Sequence, residues 1–386
     1  MQHMRRDFVK ESINQDVMKQ LNAIKVFSYI REQGKATRKQ IEAAMDLSWG
    51  AVSNITARLL EKGYLVESKG EKGSANGSGS GRIPSFLAVN DRQYYVLGVD
   101  INITRLTVEL VNLKGESVRQ WSGEPDYRSS DALLTGVQDL LQRVIGECSG
   151  DVILGIGVAM QGIVDARNGI SISLPQCPGW QDIPLAALLE SWFGRPVYLE
   201  HDPNCVLRAE VQDRPRGNLL LLRIDKGIGM ALLSEGRIFT GPGMLEIAHT
   251  IVVPHGAKCS CGGEGCLEAY VSEEGLSLLS GIAFPAAAER ARSGDPAILA
   301  LFGNMALYLG VAINNILRLF KADEIILCGD MMRYRDLFLD QVRQWLAGNS
   351  FCREPETLKI SFSENERAAY GAALMAIPKV IENLNI

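Results

Sequence analysis

No apolar run in the 386 residues reads as long enough to cross a bilayer. The opening stretch, MQHMRRDFVKESINQD, lacks the apolar core and cleavage site of a secretory signal. A disulfide framework is missing as well. Of eight cysteines, five are scattered and three crowd into eight residues. These absences predict a cytoplasmic protein with no membrane insertion. What remains is the composition of an ordinary globular chain of two or three domains, 46% hydrophobic and 22% charged.

The net charge of −5 is unevenly spread. Residues 1–90 hold 14 Lys and Arg against 9 Asp and Glu, and the remainder holds 26 against 36. A basic module joined to an acidic body suggests that only the first part meets a polyanion, although a solvated charged face would look the same.

Within that module, Val17, Leu21, Ile24, Phe27 and Ile30 recur at helical spacing and predict an amphipathic helix over 16–33, stopped by Gly34. Thr37 is placed to cap a second helix at 38–45. Ser48 is placed to cap a third, at 49–62, whose Val52, Ile55 and Leu59 face inward. Two strands, Tyr64–Ser68 and Phe86–Val89, flank the flexible KGEKGSANGSGSGRIP. This is the layout of a winged helix-turn-helix domain, whose last helix enters a major groove. Ser48, Trp49, Ser53 and Asn54 would then begin the recognition helix, and Arg58 would reach a phosphate. Arg82 would enter a minor groove. A small helical module that binds a protein partner is the alternative.

The stretch from Met244 to Glu268, MLEIAHTIVVPHGAKCSCGGEGCLE, carries four soft ligands: His249, Cys259, Cys261 and Cys266. Three thiolates and one imidazole suit a closed tetrahedral structural zinc site. The glycines let a tight loop turn the sulfurs toward one point. Three reduced cysteines in a surface loop are the plainer reading. Around this stretch the chain alternates strands and helices in two sets, which predicts two α/β lobes with a ligand cleft between them.

GVAMQGIVDARNGI, LPQCPGW, EHDPN, LEIAH and CSCGGEGCLE follow in that order. With the N-terminal module, the chain resembles the ROK family over nearly its whole length, nearest to its N-acetylglucosamine, xylose and Mlc-type repressor branch. The resemblance implies a two-lobed actin-like, ribonuclease H-like body, with a first lobe at 91–203 plus 367–386. The second lobe, at 204–366, would carry the zinc site and an oligomerisation surface. It also implies a sugar site formed by His201, Asp202, Glu246, His249 and Glu268, with His201 where kinases usually have Asn. The two glutamates serve equally well as support for the cysteine loop. In family kinases the Asp202 position is the general base. The kinase phosphate turns read here Asp100-Ile101-Asn102-Ile103-Thr104, with Asn102 for a glycine, and Asp225-Lys226-Gly227-Ile228-Gly229, with Asp225 and Lys226 for the first Gly and the Thr; the adenosine loop reads Cys328-Gly329-Asp330, with one of three glycines left. Side chains at those positions hinder close backbone approach to phosphate.

The expectation is therefore a non-enzymatic, sugar-responsive repressor. Its partners would be double-stranded operator DNA, a sugar or sugar phosphate, and further copies in a homodimer or homotetramer. An ATP-dependent sugar kinase using Asp202 is the alternative. In a third reading, a sugar-transport protein sequesters the chain.

Overall fold

Two hydroxyl side chains begin two of the first three helices. Helix α1 (Gln15–Gln33) leads through a short strand β1 (Lys35–Ala36) to α2 (Arg38–Met45) and α3 (Trp49–Glu61). Thr37 caps α2 in a reciprocal box with Gln40, and the Ser48 hydroxyl accepts from the Ala51 amide at 3.3 Å. Strands β2 (Leu65–Lys69) and β3 (Ser85–Val89) pair antiparallel, and β1 joins the far edge of β3. The structure is a computed structural model that describes residues 15–69, 84–212, 217–240, 245–349, 358–363 and 366–384. Arg82 and Met244 lie outside the described residues.

The inward stripe of α1 differs from the expected one. Ala23, Val26, Phe27 and Ile30 are buried, Ile24 is half-buried, and Val17 and Leu21 are exposed. The Val17–Leu21 series lies on a face rotated away from the one that meets α2 and α3, so the helical period was right and the burial it implied was not.

The body begins with β4 (Tyr94–Ile101), β5 (Leu106–Asn112), β6 (Ser117–Gly123), α4 (Ser130–Glu147) and β7 (Val152–Met160). A small sheet of β8 (Ile163–Asp165), β9 (Ile170–Ser173) and β10 (Gln181–Ile183) precedes α5 (Leu185–Phe193), β11 (Val197–His201) and α6 (Asp202–Glu210). The second set is β12 (Leu219–Ile224), β13 (Ile228–Ser234) and β14 (Arg237–Ile238). Helices α7 (Glu268–Val271), α8 (Glu273–Ser280), α9 (Phe284–Arg292) and α10 (Pro296–Leu319) come next. Then follow β15 (Glu324–Cys328), α11 (Leu339–Asn349), β16 (Lys359–Phe362) and α12 (Ala368–Glu382). The two five-stranded sheets have orders β11-β7-β4-β5-β6 and β14-β13-β12-β15-β16. Each is an antiparallel three-strand meander extended by two parallel strands. The topology is thus duplicated.

One element corrects the expectation of no spanning run. Helix α10 has 24 residues and is long and apolar enough to cross a membrane by length and composition. Phe302, Met305, Leu309 and Ile313 on it are nevertheless buried in the core of the second lobe.

Helix α12 joins the parts. Its sequence, AAYGAALMAIPKVIE, is rich in small residues, and it packs on β4, β5, β7 and α6. A Cβ at Gly98 of β4 would lie 1.8 Å from the Ala369 carbonyl oxygen, and one at Gly371 would lie 1.7 Å from that of Cys205. Only glycine permits such approach. Further along α12, Leu374, Ile377 and Ile381 share one core with Val26, Phe27 and Ile30 of α1. Tyr94 and Tyr64 stack across the same seam at 4.6 Å, and the Arg31 Nε donates to the Leu113 carbonyl at 2.7 Å. A cavity of about 400 Å³ opens there, between Tyr64, Leu154, Pro196, Val380 and Leu384.

Gly98→Ala is expected to destabilise the fold by about 3 kcal/mol through overpacking. Gly146→Ala, with open space around its Cβ, should be neutral or slightly stabilising. Urea denaturation of the two variants checks the contrast.

Candidate functional site

His249 is carried by a single 3-10 turn, Ile247–His249, anchored by buried Ile247 and Ala248. The chain returns to it through a cysteine loop closed by the Ile251–Cys266 and Lys258–Glu264 bridges. Gly265 has a positive φ of 78°, and a Cβ there would meet the Val253 carbonyl at 1.8 Å, so the loop needs glycine at that point. Cys259 Sγ lies 3.7 Å from His249 Nδ1, and Cys261 Sγ lies 3.7 Å from Cys266 Sγ. All four ligand atoms fall within 4.8 Å of one another. Tetrahedral zinc with bonds of about 2.3 Å to sulfur and about 2.05 Å to nitrogen separates S from S by about 3.8 Å and S from N by about 3.6 Å. The four expected ligands therefore fit one ion. Burial pushes the Cys266 thiol up to about 12, while the Gly263 amide on its sulfur lowers Cys261.

Glu268 is second to this cluster. Its Oε1 accepts from the Ser260 hydroxyl at 3.1 Å and lies 3.9 Å from Cys259 Sγ. Its Oε2 accepts from the Ile228 amide at 3.3 Å. Glu268 thus ties the cysteine loop to the turn between β12 and β13. Glu246 is exposed, and among the described residues no hydrogen bond or ion pair joins it to the cluster.

His201 and Asp202 stand at the junction of β11 and α6. Asp202 is buried, and its Oδ1 lies 3.5 Å from His201 Nε2. Its other oxygen accepts from Arg223 Nη1. Arg223 is the residue that sequence reasoning missed. Its Nε hydrogen points between Asp225 Oδ2 and Glu366 Oε2, each 2.8 Å away, without a well-directed bond to either. Burial works against its charge, yet Asp202, Asp225, Glu366 and Asp100 hold it protonated well above the ordinary range. The available signal was a lone arginine in the apolar strand LLLLRI, since a buried charge requires partners. Glu366 had no such signal, because it lies in irregular chain before α12.

Burial raises Asp100 to about 7 against the pull of Arg223, and its Oδ1 has no hydrogen-bond partner among the described residues. The Asn102 side chain accepts from the Thr104 amide at 2.9 Å, and the Gln161 side chain accepts from the Ile103 amide at 3.1 Å. Glu366 accepts from the Gly329 amide, and Asp225 accepts from the Asp330 amide, both at 2.5 Å. Lys226 is exposed.

On α3, Val52, Ile55 and Leu59 are buried as expected, together with Thr56. Trp49, Asn54 and Arg58 are exposed, but Ser53 is half-buried, so it faces outward only in part. Arg38 locks this helix in place. Its Nε donates to Thr56 Oγ1 at 3.0 Å and its Nη1 pairs with Glu67 of β2 at 2.6 Å. The Ser85 hydroxyl and Arg38 together hold Glu67 below the usual carboxylate range.

The ROK family model matches residues 96–379, beginning just after the three-helix module. The chain is 26% identical over 378 residues to a xylose repressor of Caldicellulosiruptor bescii, covering 91% of this chain and 93% of that one. It resembles a solved ROK family transcriptional regulator, described as a homologue of the Escherichia coli Mlc protein. The TM-score is 0.78 at 22% identity, over 95% of this chain and 97% of that one. A ROK hexokinase from Thermus thermophilus matches with a TM-score of 0.63 and 25% identity, over 74% of this chain and 99% of that one.

Elemental analysis is expected to find one divalent ion per chain, lost from Cys259→Ser and Cys266→Ser with a lowered thermal midpoint. Asp100 supplies a pH test. A carboxyl at about 7 when folded and 3.8 when unfolded binds extra proton in the folded state between those values. Stability therefore falls as pH rises through that window. Asp100→Asn should raise the thermal midpoint more at pH 8 than at pH 5; an equal shift at both would contradict the assignment.

Proposed function

The chain belongs to the ROK family, and from that premise we propose that it is a cytoplasmic, sugar-responsive transcriptional repressor. Its first ninety residues form a winged helix-turn-helix reader of double-stranded operator DNA. Helix α3 is the recognition helix, with Trp49 and Asn54 toward bases, Arg58 toward a phosphate and Ser48 setting its start. Ser53 contributes through its exposed part. Arg82 keeps its proposed place in the minor groove. The chain acts as a homodimer or homotetramer, because paired half-sites mirror a two-fold axis.

A zinc ion held by His249, Cys259, Cys261 and Cys266 serves as a structural clamp; it supplies loop rigidity and takes no part in a reaction. The clamp sets Glu268 beside the β12–β13 turn. His201, Asp202, His249 and Glu268 contact the hydroxyls of a sugar or sugar phosphate between the lobes, with Glu246 at the rim. Ionised carboxylates accept from hydroxyls, and a metallated imidazole donates through its free nitrogen.

The observation that carries the reading is the shared core. Glu366, two residues before α12, touches Arg223 at the cleft, while Ile377 and Ile381 on α12 pack on the reader helix α1. A ligand that shifts the lobes therefore bears on the reader through one helix. Such coupling requires that the sugar bind the two arrangements with different affinity.

The kinase alternative is disfavoured because amides in the turns it would use for a nucleotide already donate to Gln161, Asn102, Glu366 and Asp225. Capture by a sugar-transport protein would act on the same regulator and is compatible with it.

Fluorescence anisotropy on the chain's own upstream DNA is the test. Affinity is expected to drop by roughly 10³ or more between 50 and 200 mM salt. Asn54→Ala should cost about 1–3 kcal/mol of binding without moving the thermal midpoint. Absence of any sequence-specific complex, with or without sugars, defeats the proposal. Asp202-dependent phosphate transfer to a hexose would restore the kinase reading.

A further inference from the structure

Five backbone amides in the turns at residues 100–104, 225–229 and 328–330 already donate to this chain's own side-chain oxygens. The Ile103 amide donates to Gln161 and the Thr104 amide to Asn102. The Ile228 amide donates to Glu268, the Gly329 amide to Glu366 and the Asp330 amide to Asp225. The guanidinium of Arg223, only 11% exposed, is divided among Asp202, Asp225 and Glu366. A phosphate group entering here would have to displace internal carboxylates from both backbone and arginine. It would also meet three carboxylates, Asp202, Asp225 and Glu366, set against the buried Arg223 and the exposed Lys226. A sugar hydroxyl carries no charge and can donate to Asp202 while leaving the cluster intact.

We infer that the effector is an unphosphorylated sugar, and that Arg223 with Asp225 and Glu366 is the specificity-determining group that excludes phosphate esters and nucleotides. The inference rests on the sugar-responsive reading and narrows it. Asp225 and Glu366 occupy the Gly329 and Asp330 amides and flank the Arg223 Nε, the donors that a phosphate would need. This differs from a weakened nucleotide site, which would still admit phosphate at high concentration.

The test uses the full chain and isothermal titration with pairs of probes: D-glucose and N-acetylglucosamine, each beside its 6-phosphate, together with D-xylose and inorganic tripolyphosphate. Whichever free hexose binds is expected to do so at least tenfold more tightly than its ester, about 1.4 kcal/mol. Tripolyphosphate should give no heat with the native chain. It should bind the Asp225→Gly, Glu366→Ala double variant, in which the Gly329 and Asp330 amides and Arg223 Nε are released. An ester that binds as well as its free sugar, or tripolyphosphate binding to the native chain, overturns the inference. If no sugar of either kind binds, the sugar-responsive reading fails, and the tripolyphosphate arms alone decide whether phosphate is excluded. Should the double variant fold poorly, the native-chain arms still separate the outcomes.

Discussion

The architecture depends on how closely one helix can approach its neighbours. Helix α12 lies against two strands of the first sheet and against α6 at distances that leave no room for a methyl group. Gly98, Gly157 and Gly371 stand at the contact points. Interiors packed at this density transmit displacement rather than absorb it. A helix seated in this way cannot slide on its sheet, so it turns with the first lobe as one body. The apolar side chains on its other stretch are the same ones that complete the core of the three-helix module. The Arg223 cluster and the three-helix module are thereby joined through one helix, with a cavity of about 400 Å³ at the seam.

Charge does at the cleft what close packing does at the helix. Arg223 is buried among carboxylates from both halves of the molecule: Asp100 and Asp202 from the first sheet and its following helix, Asp225 and Glu366 from the second. Buried ion clusters add little net stability, because desolvation cancels most of the attraction, but breaking one is costly. Their value lies in orientation. The cluster fixes the orientation of Asp202 and holds the β12 turn, which Glu268 in turn ties to the cysteine loop.

Elements governed by local rules were legible in the sequence. The Thr37 and Ser48 caps, and α2 to the residue, follow from hydroxyl capping and periodicity. The convergence of His249, Cys259, Cys261 and Cys266 was legible because soft donors so close in sequence have few other uses. Helix α6 was missed because DPNCVLRAE is short and buried on most sides, so it shows no amphipathic stripe. The misassigned stripe of α1 has a related cause, since its partner α12 is supplied from far along the chain. The Arg223 cluster escaped notice for the same reason. Its members stand more than 260 residues apart from Asp100 to Glu366, and no local pattern encodes their meeting. Glu246, a carboxylate beside the same motif, is left exposed by the fold.

The contact between Gln20 and the Leu384 carbonyl joins residues 364 positions apart. Contacts of such separation form late, and ribosomes add roughly 5–20 residues per second. For tens of seconds of synthesis, then, α1 has been made without the partner that completes its apolar surface. The three-helix module is thus made long before the helix that closes its core. The same order leaves Val26, Phe27 and Ile30 without α12 throughout translation, which makes that interval the molecule's most exposed to aggregation and to chaperone capture.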